Sequence, residues 1–199
     1  MLLHRDMLDN LNKYNIILAS ASPRRRELLS GLGVNFETLC LPGIDESFPD
    51  SLPANEVAGY ISVKKAEAYK QQMQTNQLII TADTVVVSEN RILGKPHSRE
   101  NAVEMLRFLS GKTHHVITGV TILTTDKQKT FSVSTDVTFA DITDEEINYY
   151  IDRYQPMDKA GAYGIQEWIG FIAVESISGS YFNVMGLPIQ RLYQELKHW

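Results

Sequence analysis

Residues 15–29 read NIILASASPRRRELL. The apolar run gives way to small residues, then to Ser22 and Pro23, then to three consecutive arginines. A buried strand over 15–20 passing directly into a helix over 23–31 accounts for that order. Ser22 is a favourable N-cap and Pro23 suits the first helical position. Gly31 and Gly33 then close the helix.

The same strand and helix signals recur along the chain. FETLC (36–40) predicts a strand, and the loop LPGIDESFPDSLPANE follows it. The pattern from Glu56 to about Gln72 predicts a helix. LIITADTVVV (78–87) predicts a strand that turns at SEN and returns through RILGKP. A helix over 98–109 starts at Ser98. Two long strands, HHVITGVTILTTD and KTFSVSTDVTFA, are joined by a polar turn at 126–129. Thr143 caps a helix over DITDEEINYYIDRY, and a last helix runs from about Pro188 to Lys197. Between these two lies a glycine-punctuated stretch. Strands, helices and hairpins intermix, so the expected class is α/β with a mixed sheet. Residues 1–14 form an N-terminal extension with Leu3, Met7, Leu8 and Leu11 near helical spacing. Residues 15–199 form one domain, without linker, repeat or low-complexity segment.

The arginines break a local rule. Arg24, Arg25 and Arg26 occupy a first helical turn, where the macrodipole is already positive and acidic residues are preferred. Arg25 stands where a capping box would place Glu. A bound polyanion reverses the sign, because free backbone N–H groups, the dipole and guanidinium forks all favour phosphate. Ser20 and Ser22 add hydroxyls in the turn. Arg26 reads as a solvated residue. Other phosphate motifs fail: SGKT (110–113) has Leu106 where a P-loop needs its first glycine, and no GxGxxG is present.

Bulk composition restricts the ligand class. The 199 residues are 43% hydrophobic, enough for one sizeable core or two lobes around a cleft, and the net charge is −5. Such a chain is not suited to coating nucleic acid or an anionic membrane, so its basic cluster is local and suits a small anion. Cys40 is the sole cysteine, which excludes an intramolecular disulfide and a cysteine zinc site. No signal peptide or transmembrane run is evident, and a cytoplasmic location is expected.

ITADTVVV places Asp83 among apolar strand residues, a costly position unless a cation or hydrogen bonds compensate. A three-residue turn at SEN would set Asp83 opposite Lys95; a two-residue turn would shift that register. Either way Lys95 is expected to return close to Asp83. The pair reads equally as a structural ion pair or as a metal ligand or general base beside a phosphate-binding lysine. Asp45 and Glu46 read as a loop pair, and Lys65, next to small Ala66, as a helix lysine able to face a cleft. His114 and His115 point to opposite faces of a strand and make no metal pair. Together these residues imply a phosphorylated ligand and at least one carboxylate, and so phosphoanhydride hydrolysis with a cation such as magnesium.

LASASPRRRELL, PGIDES, VKKAEA, TADTVVV, ILGKP, MLRFLSGKTHHVITGV, DKAGAYGIQ and ISGSYFNVMGLPI, in this order, resemble the Maf family of nucleoside triphosphate pyrophosphatases. The resemblance covers nearly everything from residue 15 onward. It implies an elongated mixed sheet flanked by helices, with two lobes around a central cleft, similar to the inosine triphosphate pyrophosphatases. It implies hydrolysis of a nucleoside triphosphate to monophosphate and pyrophosphate with a divalent cation, Mg²⁺ or Mn²⁺, and a homodimer. Asp83 matches the family's proton acceptor and, with Glu46, an acidic position near the metal. Ser20, Arg24, Arg25, Lys65 and Lys95 match phosphate-contacting positions. Arg24, Thr84 and Gln166 resemble the dTTP/UTP-specific branch. The family is also linked to inhibition of septum formation, so a nucleotide-binding regulator is the alternative implied.

Overall fold

The computed structural model describes residues 7–199. The opening stretch forms β1 (Asn15–Leu18) and α1 (Pro23–Ser30), with Ser22 capping the helix by accepting from the Arg25 backbone N–H. β2 (Glu37–Thr38) and, after α2 (Val57–Lys70), the long β3 (Gln77–Ser88) both run parallel to β1. From there the sheet is antiparallel: β4 (Arg91–Leu93), β5 (Thr113–Leu123), β6 (Gln128–Phe139) and β7 (Val174–Ser178). The order is β2-β1-β3-β5-β6-β7, with β4 paired to the far end of β3. Helices α3 (Arg99–Leu109), α4 (Asp144–Tyr154), α5 (Trp168–Ala173), α6 (Tyr181–Met185) and α7 (Ile189–Lys197) complete the fold. α4 carries the full capping box between Thr143 and Glu146.

Two features of β3 make the cleft. Its β5 edge is paired from Ile79 to Val87, but its other edge is split. β1 ends at Leu18 opposite Ile80, because the chain turns there into α1; β4 resumes pairing only at Val86. Residues 81–85 therefore face an opening. It lies beyond the carboxyl end of β1, where the chain has gone out to β2 on one side and come back to β3 on the other. That is where open α/β sheets place ligands.

The core is split along the same line. On one face, Leu18, Leu29, Leu78, Ile80, Val120 and Leu192 form one apolar cluster. On the same face beyond the opening, Val86, Leu106, Val116, Phe139, Tyr150 and Ile169 form another. Thr84 and Thr118, paired across β3 and β5 with their hydroxyls 2.9 Å apart, sit between the two. These are the two lobes. On the opposite face α2 crosses the sheet so closely that a Cβ on Gly119 would lie 2.3 Å from the Ala58 carbonyl carbon and the Gly59 nitrogen. Only glycine permits that approach.

Two expectations change, and the open choice of hairpin turn is decided. Within the extension, whose apolar residues lie near helical spacing, residues 9–11 make a single 3-10 turn. Leu8 and Leu11 are buried, Met7 is exposed, and Leu3 lies outside the described residues. The β3–β4 turn has two residues: Ser88 pairs with Arg91, and Glu89 and Asn90 take φ of 50° and 63°. This is the doubly left-handed turn whose twist matches a hairpin, so Asp83 does not face Lys95 across the ladder. The glycine-punctuated stretch after α4 contains α5, β7 and α6.

Candidate active site

The cleft encloses about 440 Å³, a volume suited to one small-molecule ligand. Five cationic side chains (Arg24, Arg25, Lys65, Lys95, Lys159) and three carboxylates (Glu46, Asp83, Asp158) line it. In a chain of net charge −5 this local positive excess favours an anion.

The two adjacent arginines do different things. Arg25 turns inward and its guanidinium stands in for the missing β1 neighbour of β3. It donates to the Ala82 carbonyl at 2.8 Å, the Gly186 carbonyl at 2.8 Å and the Thr84 hydroxyl at 3.1 Å. A longer contact reaches Ser20 Oγ at 3.5 Å. Protein acceptors thus take four of its five N–H groups. Burial pulls its pKa below the usual arginine value, and Asp83 acts in the opposite sense. Arg24, one residue earlier, points along the cleft wall to Asp158 at 3.1 Å, a contact open to solvent and exchangeable for phosphate. Arg26 is exposed, as the sequence reading expected. Ser20 is buried, and its hydroxyl accepts the Ser22 N–H at 3.2 Å, shaping the turn.

Asp83 has a cation partner, and it is Lys65. Lys65 Nζ lies 2.7 Å from Asp83 Oδ1 and 3.0 Å from Glu46 Oε1. α2 delivers this lysine because Ala66 and Tyr69 are buried against the sheet, which turns Lys65 toward the cleft. Tyr69 also fixes the loop that carries Glu46: its hydroxyl donates to the Leu39 carbonyl and accepts the Leu41 N–H. Asp45 instead binds Lys64 at 2.8 Å and the Ser47 N–H and hydroxyl, which together hold its carboxyl well below the usual range. Lys95 is exposed at the rim of the same cleft.

The far wall comes from the loop after α4, and here sequence reading missed a residue. Lys159 is buried, with Nζ 2.7 Å from Asp158 Oδ1 and 3.1 Å from Glu167 Oε1. Glu167 accepts in turn from the Tyr150 hydroxyl, which also accepts the Gly164 N–H. Burial, then Glu167, push the Tyr150 pKa up. The loop takes left-handed backbone at Gly161 and Ala162, with φ of 67° and 61°. Gln166 lines the cleft, and its Oε1 is buried with no protein partner. The signal for Lys159 was the DKAGAYGIQ run itself, in which a lysine precedes a helix-breaking Ala-Gly-Ala.

Among the described residues no group of three or more His, Cys, Asp or Glu is placed to hold a metal alone. The pair Glu46 and Asp83 already shares one cation, the Lys65 ammonium. Two carboxylates fit a magnesium-like ion that completes its shell with phosphate oxygens and water. His114 is the opposite case: buried, its Nε2 2.7 Å from the Tyr163 hydroxyl, its pKa is lowered to about 4 by desolvation and then by His115.

Residues 15–199 match the family described as Maf-like protein. The chain belongs to the Maf family. Among curated relatives it is 62% identical over 191 residues to a dTTP/UTP pyrophosphatase of Phocaeicola vulgatus, covering 96% of this chain and 99% of that one. It is 61% identical over 191 residues to a dTTP/UTP pyrophosphatase of Bacteroides thetaiotaomicron, with the same coverage. A solved HAM1 protein from Coxiella burnetii shares the fold, with a TM-score of 0.50, 13% identity, and coverage of 94% of this chain and all of that one. No helix among the described residues is long and apolar enough to cross a membrane.

Proposed function

We propose that the protein hydrolyses dTTP and UTP to the nucleoside monophosphate and pyrophosphate. The observation that carries this is the Asp83–Lys65–Glu46 cluster beside Arg24, in a Maf chain whose 62% identical relative is a dTTP/UTP pyrophosphatase. The triphosphate lies against the turn at 20–25. Arg24 leaves Asp158 for phosphate oxygens, and Lys95 reaches them from the rim. Lys65 moves from Asp83 to the phosphates, which opens Asp83 Oδ1 to a water. Asp83, freed, takes a proton from a water that attacks the α-phosphorus, and pyrophosphate leaves on the cationic side. A divalent cation, Mg²⁺ or Mn²⁺, would be held by Glu46 and Asp83 and would neutralise phosphate charge. Arg25 braces the site from behind and fixes the Thr84 hydroxyl. Gln166 meets the base, its amide turning to bring the buried, unpartnered Oε1 to the ring N3–H.

The test is a panel of dTTP, UTP, CTP, dATP, GTP and 7-methyl-GTP with magnesium, with pyrophosphate and orthophosphate assayed separately. Pyrophosphate released mainly from dTTP and UTP is the expected result. Orthophosphate as the primary product, or binding without turnover, refutes it.

A further inference from the structure

Set against N3 and the 4-position, the Gln166 amide cannot separate uracil from cytosine. A glutamine amide offers one acceptor beside one donor, and it satisfies either base by turning over. Against uracil or thymine, Oε1 accepts N3–H and Nε2 donates to a carbonyl. Against cytosine, the turned amide donates to N3 and accepts from the 4-amino group. Discrimination needs a donor-only group that takes the 4-position and so confines the amide to N3 and the 2-carbonyl, where turning over would set Oε1 against the cytosine carbonyl.

Lys159 is that kind of group. An ammonium has three donors and no acceptor. Asp158 and Glu167 engage Nζ at 2.7 and 3.1 Å, which leaves one N–H, and the side chain is 8% exposed. Lys159 and Gln166 converge on Gly164. A Cβ there would lie 2.9 Å from Lys159 Cε and 3.1 Å from Gln166 Nε2. Both side chains line the cleft. The bare glycine is the space that lets ammonium and amide stand together.

We infer that Lys159 is a specificity-determining residue that donates to the 4-carbonyl of the pyrimidine while Gln166 reads N3–H and the 2-carbonyl. The inference rests on the proposed pyrimidine triphosphate activity and adds the rule by which the imide-type bases are chosen. With the amide turned so that Oε1 takes the place of Nε2 beside Gly164, the three groups present donor, acceptor, donor to an edge of acceptor, donor, acceptor. Cytosine turns its 4-amino group toward the ammonium, donor against donor, and is rejected. Asp158 and Glu167 act as positioning residues that hold the ammonium in one place.

The test compares kcat/KM for UTP, CTP and 4-thio-UTP in the wild type and Lys159→Met. In the wild type, 4-thio-UTP should be poorer than UTP by about tenfold, since sulfur is a weak acceptor. In Lys159→Met the UTP-over-CTP ratio should fall about 10- to 100-fold, the value of one hydrogen bond from a charged donor. The preference for UTP over 4-thio-UTP should vanish with it. A purely structural Lys159 lowers all three substrates together and leaves the ratios intact, which overturns the inference. If Lys159→Met does not fold, the wild-type comparison decides: equal turnover of UTP and 4-thio-UTP overturns it. A wild type that releases no pyrophosphate from UTP overturns the proposed function and this inference together. UTP turnover with ratios that Lys159→Met leaves unchanged overturns the inference alone.

Discussion

Replacing Arg25 by methionine should cost the fold far more than replacing Arg24. Arg25 supplies the hydrogen bonds that β3 lacks where β1 stops. Its removal orphans the Ala82 and Gly186 carbonyls and frees the Thr84 hydroxyl. Each bond from a charged donor contributes about 1.5–3 kcal/mol. Taking the lower end for a half-buried side chain, and allowing water to reach some of the freed acceptors, the loss is about 3–5 kcal/mol. For a chain of this size that lowers the melting temperature by on the order of 10 °C. Arg25→Lys offers one point donor in place of a fork and should recover less than half of the loss. Arg24→Met breaks a single solvent-open contact with Asp158, a difference of about 0–1 kcal/mol, and should raise the KM for nucleotide instead. Thermal melts of the three variants without nucleotide make the comparison. An Arg25→Met protein that melts within about 2 °C of the wild type would refute the assignment of Arg25 as a brace.

Asp83→Asn should lower kcat by about 10²–10⁴, the range for a lost general base, while nucleotide binding persists. A folded variant with wild-type turnover would remove Asp83 from the base role. His114 gives a pH signature. Its folded pKa of about 4 lies below the unfolded value of about 6.5, so the unfolded chain binds the extra proton between these limits. Its stabilising contribution is complete above pH 6.5 and is lost as pH falls toward 4, by about 3 kcal/mol in all. Denaturant melts of wild type and His114→Gln across that window should show a steeper loss in the wild type; parallel curves would contradict this.

The β1–α1 unit was legible because its signals are local: an apolar strand, a serine cap and a proline at the first turn each act within a few residues. α4 was legible for the same reason, through Thr143 and Glu146. The hairpin register was not, since Asn90 is at ease with positive φ and Glu89 is not, and the strand twist decided for both. α6 has five residues and β7 is a short edge strand, too brief for periodicity to reveal. Within the site, the reading gathered Asp83, Glu46, Arg24, Lys65 and Lys95 into one cleft. It paired Asp83 with the lysine nearest along the hairpin, whereas the partner comes from α2, eighteen residues earlier in the chain. Lys159 escaped because its partners, Asp158 and Glu167, meet it only after the loop folds back through Gly161 and Ala162. The contrast between Arg24 and Arg25 was equally hidden: identical neighbours diverge because one faces an unpaired strand edge.

The proposed attack of water on the α-phosphorus, with Asp83 as the base, is open to isotope labelling. Hydrolysis of UTP in ¹⁸O-enriched water, followed by mass analysis of the products, tests it most directly. Attack at the α-phosphorus puts the label in the uridine monophosphate and none in the pyrophosphate. Label in the pyrophosphate would place attack at the β-phosphorus, and labelled orthophosphate as the first product would place it at the γ-phosphorus; either contradicts the account.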